Sequence, residues 1–260
     1  MYHYFYLIKI QYLGFRYHGW QKQSGFKTVH LMVDKTLNFI FEAKQNFKTL
    51  GAGRTDAMVS AQEAAFELFL EEPLADSETF IQKFNYYLPQ DIKAISVVEV
   101  AKEFNIIQDS KIKEYQYLFA FGQKTHPFCA SIMTTFRDDL DIDLMKKGAQ
   151  LFEGQHNFKS YCSDVSENGI YERTIITCRL FENTIYTASF FPKHSYILKV
   201  EGEGFGYNQI RLMMMALVKL GKSELSLQDI ENSLKATSTF SLDTIAPASG
   251  LILNSIVFKA

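Results

Sequence analysis

The chain has 260 residues, a formal net charge of -2, and 47% hydrophobic and 15% aromatic residues. That length suits one large compact unit or two small domains sharing a core, and the apolar content excludes a disordered chain. No apolar run approaches the roughly 18 residues of a spanning helix, and the slightly acidic balance excludes a uniformly basic nucleic-acid coat.

Elements follow in chain order. Tyr4, Tyr6, Ile8, Ile10 and Tyr12 recur at period two, which predicts a strand with one buried face. This start has no charged leader before an apolar block, so a secretory signal is not expected, and a cytoplasmic location is. A polar-aromatic loop follows from Phe15 to Gln23. Leu31, Val33, Leu37, Ile40 and Phe41 fall at helical spacing and predict a helix from Val29 to about Ala43. A short strand at Phe47–Gly51 leads into the loop Gly51–Met58, and Ala64–Leu70 fits helix or strand equally. Phe80–Leu88 reads as a helix stopped by Pro89, and Ile92–Val100 as a strand.

The second half repeats this order loosely. Strands are expected at Glu114–Phe121, Arg173–Phe181, Tyr196–Glu203 and Leu251–Phe258. Helices are expected at Asp143–Phe152 with Asp143 as N-cap, at Tyr207–Leu220 with Gly221 as C-cap, and at Leu227–Leu234. The pattern predicts an α+β fold of two related α/β subdomains, residues 1–103 and 104–260, sharing a mainly antiparallel sheet with the active-site cleft between them. Cys129, Cys162 and Cys178 are too scattered for a disulfide framework or a metal pair and read as free thiols. Charge is uneven: residues 1–55 carry Lys9, Arg16, Lys22, Lys27, Lys35, Lys44, Lys48 and Arg54 against Asp34 and Glu42, while residues 63–78 are acidic without a base. A basic face and an acidic back are expected, or else ordinary solvated surface.

The loop Gly51-Ala52-Gly53-Arg54-Thr55-Asp56-Ala57 is the richest in chemistry. In extended backbone, positions i and i+2 point the same way, which brings the Arg54 guanidinium towards the Asp56 carboxylate and favours its charged form. An ionised carboxylate in a cleft suits covalent catalysis; the simpler alternative is that Asp56 caps a helix beginning near Ala57. Arg211 sits on a helix that is apolar on several sides and requires an anionic partner, Asp56 or an RNA phosphate, unless its side chain snorkels to solvent. Tyr115 and Tyr117 alternate on a strand. Arg16, Tyr17, His18 and Trp20 suit an RNA-contacting loop, since rings stack on bases and arginine holds phosphate. Met213, Met214 and Met215 read as core filler.

GAGRTDAMVSA resembles the active-site motif of TruA-type tRNA pseudouridine synthases, A-G-R-T-D-A-G-V-H-A. YLGFRYHGWQKQ resembles that family's Y-D-G-x-x-Y-x-G-W-Q, TVH its T-V-Q, LPQDI its L-P-x-D-I, and KEYQYLF its R-x-Y-x-Y. LFEGQHNFKSYCS, YERTI, GFGYNQIRLMMMALVKLG and APASGLILNSIVF match later family segments in order, so the resemblance spans nearly the whole chain. It implies an isomerase that turns uridine into pseudouridine in the tRNA anticodon stem-loop, near positions 38–40, without cofactor or metal. It implies Asp56 as nucleophile, Arg54 as the partner orienting it, Tyr115 as the active-site tyrosine and Arg211 as the second active-site arginine. It further implies RNA contacts from Arg16, Tyr17, His18, Trp20, Lys22, Lys113 and Arg173, and a homodimer acting on tRNA.

Departures from the pattern stand at Met58 (Gly in the family), Ser60 (His), Ile107 (Arg) and Lys113 (Arg). A side chain at position 58 cannot take positive φ as cheaply as glycine, and Lys113 forgoes bidentate phosphate capture. Two alternatives follow: an RNA-binding relative with little catalysis, and a metal-free hydrolase or lyase using Asp56 and Tyr115 on a small substrate.

Overall fold

The computed structural model describes residues 2–42, 44–166 and 168–259. Residues 1–111 with 253–260 form one compact unit, and residues 112–252 form a second. In the first unit, β1 (Tyr4–Tyr12) buries Tyr6, Ile8, Ile10 and Tyr12 on one face, the alternation the sequence carries. After a 3-10 turn at Gly14–Arg16 comes α1 (Val29–Phe41), whose N-cap Thr28 accepts the Leu31 N–H at 3.3 Å and whose Val33 and Leu37 are fully buried. Its C-cap is Glu42 in the left-handed conformation, and the expected end at Ala43 lies outside the described residues.

β2 (Phe47–Gly51) and β1 both pair antiparallel with β3 (Ser60–Leu70), so the ambiguous segment at 64–70 is strand. Flanked on both sides, the 64–70 stretch of β3 is apolar except at Glu67, which erases the period-two signal. α2 (Ser77–Tyr87) is capped by Asp76, and β4 (Ile92–Glu99) pairs antiparallel with β1. Within the acidic run, Glu63 bonds Lys9 at 2.8 Å and Glu67 is 2% exposed, while Glu72, Asp76 and Glu78 are exposed.

The second unit takes up β5 (Ser110–Phe121), then β6 (Thr134–Phe136), α3 (Ile142–Gln150), β7 (Gly154–Asn157), β8 (Glu172–Glu182) and β9 (Tyr196–Gly202). The pairs β5–β9, β9–β8 and β8–β7 are antiparallel and β5–β6 is parallel. α4 (Gln209–Gly221) and α5 (Leu227–Ser233) complete it. The closing strand β10 (Leu251–Phe258) returns the chain to the first unit beside β3. Among the described residues, mainly antiparallel strands with five α-helices make this an α+β protein, as expected.

Two caps differ from expectation. Asp141, not Asp143, caps α3, its carboxylate accepting the Leu144 N–H at 2.9 Å. Asp143 is instead in the first turn and pairs with Lys146. Gly221 is the last residue of α4, with Lys222 as C-cap. A Cβ on Gly221 would meet Met145 Sδ at 2.8 Å, so tight packing rather than a left-handed cap requires glycine there. Among the described residues no helix is long and apolar enough to cross a membrane, and no group of three His, Cys, Asp or Glu is arranged to hold a metal ion.

Candidate active site

The first unit presents Asp56 on a turn leading into β3; no helix begins at Ala57, so Asp56 is not an N-cap. The Asp56 carbonyl instead accepts the Val59 N–H at 3.2 Å, closing a tight turn. Asp56 is half-buried and Arg54, two positions before it, is exposed. Met58 takes φ 68°, the left-handed conformation that glycine adopts most cheaply. The departure at this position therefore leaves a positive-φ turn carried by an unbranched side chain.

A second loop, residues 13–20, forms the cradle. The Met58 N–H donates to the Tyr17 carbonyl at 3.0 Å, and the Trp20 N–H donates to the Thr55 carbonyl at 3.1 Å. The Tyr12 hydroxyl lies 2.8 Å from Thr55 Oγ1. Gly19, at φ +82°, allows the close approach: a Cβ there would stand 2.5 Å from the Thr55 carbonyl oxygen and 3.1 Å from the Asp56 carbonyl carbon. Ser60 Oγ accepts the Gly14 N–H at 2.9 Å, giving the serine found at this departure a structural task. The loop's other end is gauged by Trp20, since a Cβ on Gly51 would fall 2.2 Å from the indole Nε1. Asp56 is thus set on a backbone fixed at Thr55 and Met58.

Four of the residues expected to meet RNA belong to this cradle. Tyr17 is 2% exposed and Trp20 is 3% exposed, so their rings pack inside the unit and do not present a face for a base. Tyr17 donates its hydroxyl to Asp91 Oδ1 at 2.6 Å, and Arg16 makes two bonds to Asp91 Oδ2 at 2.6 and 2.9 Å. Burial works to raise the Asp91 carboxyl, but the bonds from Tyr17 and Arg16 outweigh it and hold the group below its ordinary range. Burial and the Asp91 bond push the Tyr17 phenol well above its ordinary value. His18 lies against Phe26 with ring centroids 4.5 Å apart, and Lys22 pairs with Asp34 on α1. The LPQDI segment carries Asp91, but no local signal marks its role, because its partners Arg16 and Tyr17 lie 75 and 74 positions away.

The second unit holds the remaining candidates. Tyr115 on β5 is half-buried, with the ring of Phe205 meeting it edge-on at 5.3 Å. Tyr117, two residues on, is fully buried; its hydroxyl donates to the Pro247 carbonyl at 2.7 Å and lies 3.0 Å from Thr134 Oγ1. Arg211, in the first turn of α4, donates from Nε to the Ala246 carbonyl and from Nη1 to Asn208 Oδ1, both at 2.8 Å. The segment Ala246–Pro247 therefore ties Arg211 to the strand that carries Tyr115. Asn208 stands at φ 61° before α4 and makes no side-chain cap, leaving its carboxamide for Arg211. Phe205 and Ala246 carry no local signal, since one meets a ring 90 positions away and the other acts through a backbone carbonyl, while Asn208 reaches Arg211 only because it stands one helical turn before it.

Lys113 on β5 is half-buried, and burial lowers its ammonium pKa. Arg173 on β8 donates to the Ile170 carbonyl at 3.3 Å and lines an open recess of about 170 Å³ with Gln155, Glu172, Thr174, Glu203 and Gly204.

Comparison with known proteins extends these observations. Residues 149–259 match a family described as tRNA pseudouridine synthase. A "tRNA pseudouridine synthase A" of Pseudothermotoga lettingae is 32% identical over 253 residues, covering 96% of this chain and 97% of the relative. Relatives of the same name from Limosilactobacillus fermentum and the Onion yellows phytoplasma are each 30% identical. The first covers 98% of this chain and 96% of its own length, the second 99% and 100%.

Proposed function

This chain belongs to the tRNA pseudouridine synthase A family, and from that premise we propose that it isomerises uridine in the anticodon stem-loop of tRNA, near positions 38–40, with Asp56 as nucleophile. The observation that carries the reading is the double anchoring of the Asp56 turn, by Trp20 at Thr55 and by Tyr17 at Met58. Covalent catalysis needs a carboxylate held to a fraction of an ångström, and a backbone bonded on both sides of Asp56 supplies that.

In the reaction the N1–C1′ bond breaks, the uracil turns, a C5–C1′ bond forms, the C5 proton leaves and N1 takes up a proton, so that the product is an isomer of the substrate. Asp56 supplies the carboxylate that opens the glycosidic bond, with Arg54 orienting it. Tyr115 is the candidate for moving the C5 proton, its ring set by Phe205. Arg211 serves as the second active-site arginine. Its Nε and Nη1 bonds fix the guanidinium plane, as a group receiving an anion requires. The target base leaves its stack at a cost of a few kcal/mol. In this reading Asp56 comes from an N-terminal subdomain, residues 1–103, and Tyr115 and Arg211 from residues 104–260. Arg16, His18, Lys22, Lys113 and Arg173 meet RNA, while Tyr17 and Trp20 support it from beneath. The protein works without metal or cofactor, as a homodimer, in the cytoplasm.

The test uses tRNA transcripts tritiated at uridine C5, with Asp56→Ala as control. Release of tritium by the natural protein and none by the variant is expected, with both still retaining tRNA. Release undiminished in Asp56→Ala would overturn the nucleophile assignment.

A further inference from the structure

His30, at the second position of α1, is 6% exposed and stacks on Trp20 with ring centroids 5.3 Å apart and planes 18° from parallel. Its backbone N–H also donates to the Trp20 carbonyl at 3.1 Å. His30 thus backs the residue whose N–H fixes Thr55. Its Nε2 lies 2.7 Å from Thr49 Oγ1, and the Thr49 hydroxyl donates to Asp34 Oδ1 at 2.6 Å. A hydroxyl has one hydrogen, and here it goes to the carboxylate, so Thr49 accepts from the ring and Nε2 carries the proton of a neutral imidazole. Nδ1 is then a buried acceptor with no hydrogen-bond partner among the described residues. A second proton would enter there as a buried N–H lacking an acceptor.

The charged groups acting on the ring are Asp34, on the same helix with Oδ1 3.7 Å from Nε2, and Lys22, from the preceding loop and paired with Asp34. Thr49 on β2 and the Trp20 indole also contact the ring and carry no charge. Burial lowers the imidazole pKa from 6.5, Asp34 opposes that shift, and Lys22 adds to it.

We propose that His30 is a positioning residue: its neutral ring holds Trp20, and through it the Asp56 turn, in the working geometry, and its protonation in mild acid releases that hold. The proposal rests on Asp56 as the reacting carboxylate. It predicts a catalytic turn that slackens below neutrality without any group titrating among the reacting atoms.

Trp20 is the chain's single tryptophan, so its intrinsic fluorescence reads the contact directly. One fluorescence step is expected below pH 6.5, with kcat for tritium release falling at the same midpoint and KM for tRNA changing less. In His30→Gln, which keeps a donor for Thr49 but cannot titrate, both dependences should vanish at whatever plateau the variant reaches. In Asp34→Asn the shared midpoint should move to lower pH, because the anion favouring the imidazolium is gone. Far-UV circular dichroism establishes that each variant is folded. A fluorescence signal flat across this range, a step persisting in His30→Gln, or a step without a matching change in kcat overturns the proposal. Asp56→Ala keeps the two readings apart. Its fluorescence step should be unchanged, so a missing step counts against His30, whereas surviving activity counts against Asp56 alone.

Discussion

The Met58 N–H donates to the Tyr17 carbonyl at 3.0 Å, and Met58 makes that bond at φ 68°. The cradle under Asp56 therefore holds a side-chain-bearing residue in a conformation that costs roughly 1–2 kcal/mol outside glycine. Replacement by glycine removes that strain but loosens the unfolded chain, so Met58→Gly should leave stability unchanged or raise it by up to about 1 kcal/mol. A β-branched residue fits the left-handed region worst, and Met58→Val should lose about 2 kcal/mol. Urea denaturation of the three proteins checks the order; Met58→Val as stable as the natural chain would remove the strain argument.

Gly19 offers a sharper perturbation. A Cβ 2.5 Å from the Thr55 carbonyl oxygen meets backbone, which cannot rotate away, and φ +82° adds strain. Gly19→Ala should cost about 2–4 kcal/mol and shift the Asp56 turn. At a temperature where the variant remains folded, tritium release should fall at least about tenfold, the scale expected for misplaced reacting groups. Unchanged kcat in a folded Gly19→Ala would show that the cradle does not set Asp56.

Asp91 makes a pH prediction. Its folded carboxyl lies below the ordinary value, so the folded state binds fewer protons than the unfolded one in that window. The stability it contributes is present above the ordinary carboxylate pKa of about 3.9 and is lost as pH falls through the lower folded value. Asp91→Asn should cost about 1–3 kcal/mol at pH 7 through weakened bonds to Arg16 and Tyr17, and should lose less further stability on acidification than the natural protein. Parallel acid titration curves for the two would refute this.

Glu67 runs the other way. Its carboxyl is 2% exposed, Oε1 has no partner among the described residues, and burial raises its pKa against the Ile106 N–H and Lys48. A raised carboxyl contributes stability below the unfolded pKa and loses it as pH rises through the folded one. Glu67→Gln removes that loss, so the variant should gain about 1 kcal/mol relative to the natural chain at pH 8 and gain less at pH 4. Thermal melts at the two pH values decide it.

Arg211 tests geometry against charge. Lysine retains the cation but cannot bond the Ala246 carbonyl and Asn208 together in one plane. Arg211→Lys should lower kcat by at least about tenfold while changing tRNA affinity much less. Equal losses in the two would assign Arg211 to binding alone.

Much of this molecule is written locally. The period-two run of β1, the helical spacing of α1 and α4, and the small residues around Arg54 and Asp56 can all be read along the chain, because each reports a neighbour two to four positions away. Where a local signal had two solutions, tertiary structure chose: β3 is strand because β1 and β2 flank it, and Asp141 displaced Asp143 as the cap of α3. The roles of Tyr17 and Trp20 were decided in the same way. A loop of rings beside an arginine has the composition of an RNA-stacking surface, yet Asp91 from 74 positions away draws Tyr17 inward, and His30 and Gly51 enclose Trp20. The residue types of the site are a property of the sequence. Their burial, their partners and the strain at Met58 depend on contacts between distant segments, and only the folded chain creates those.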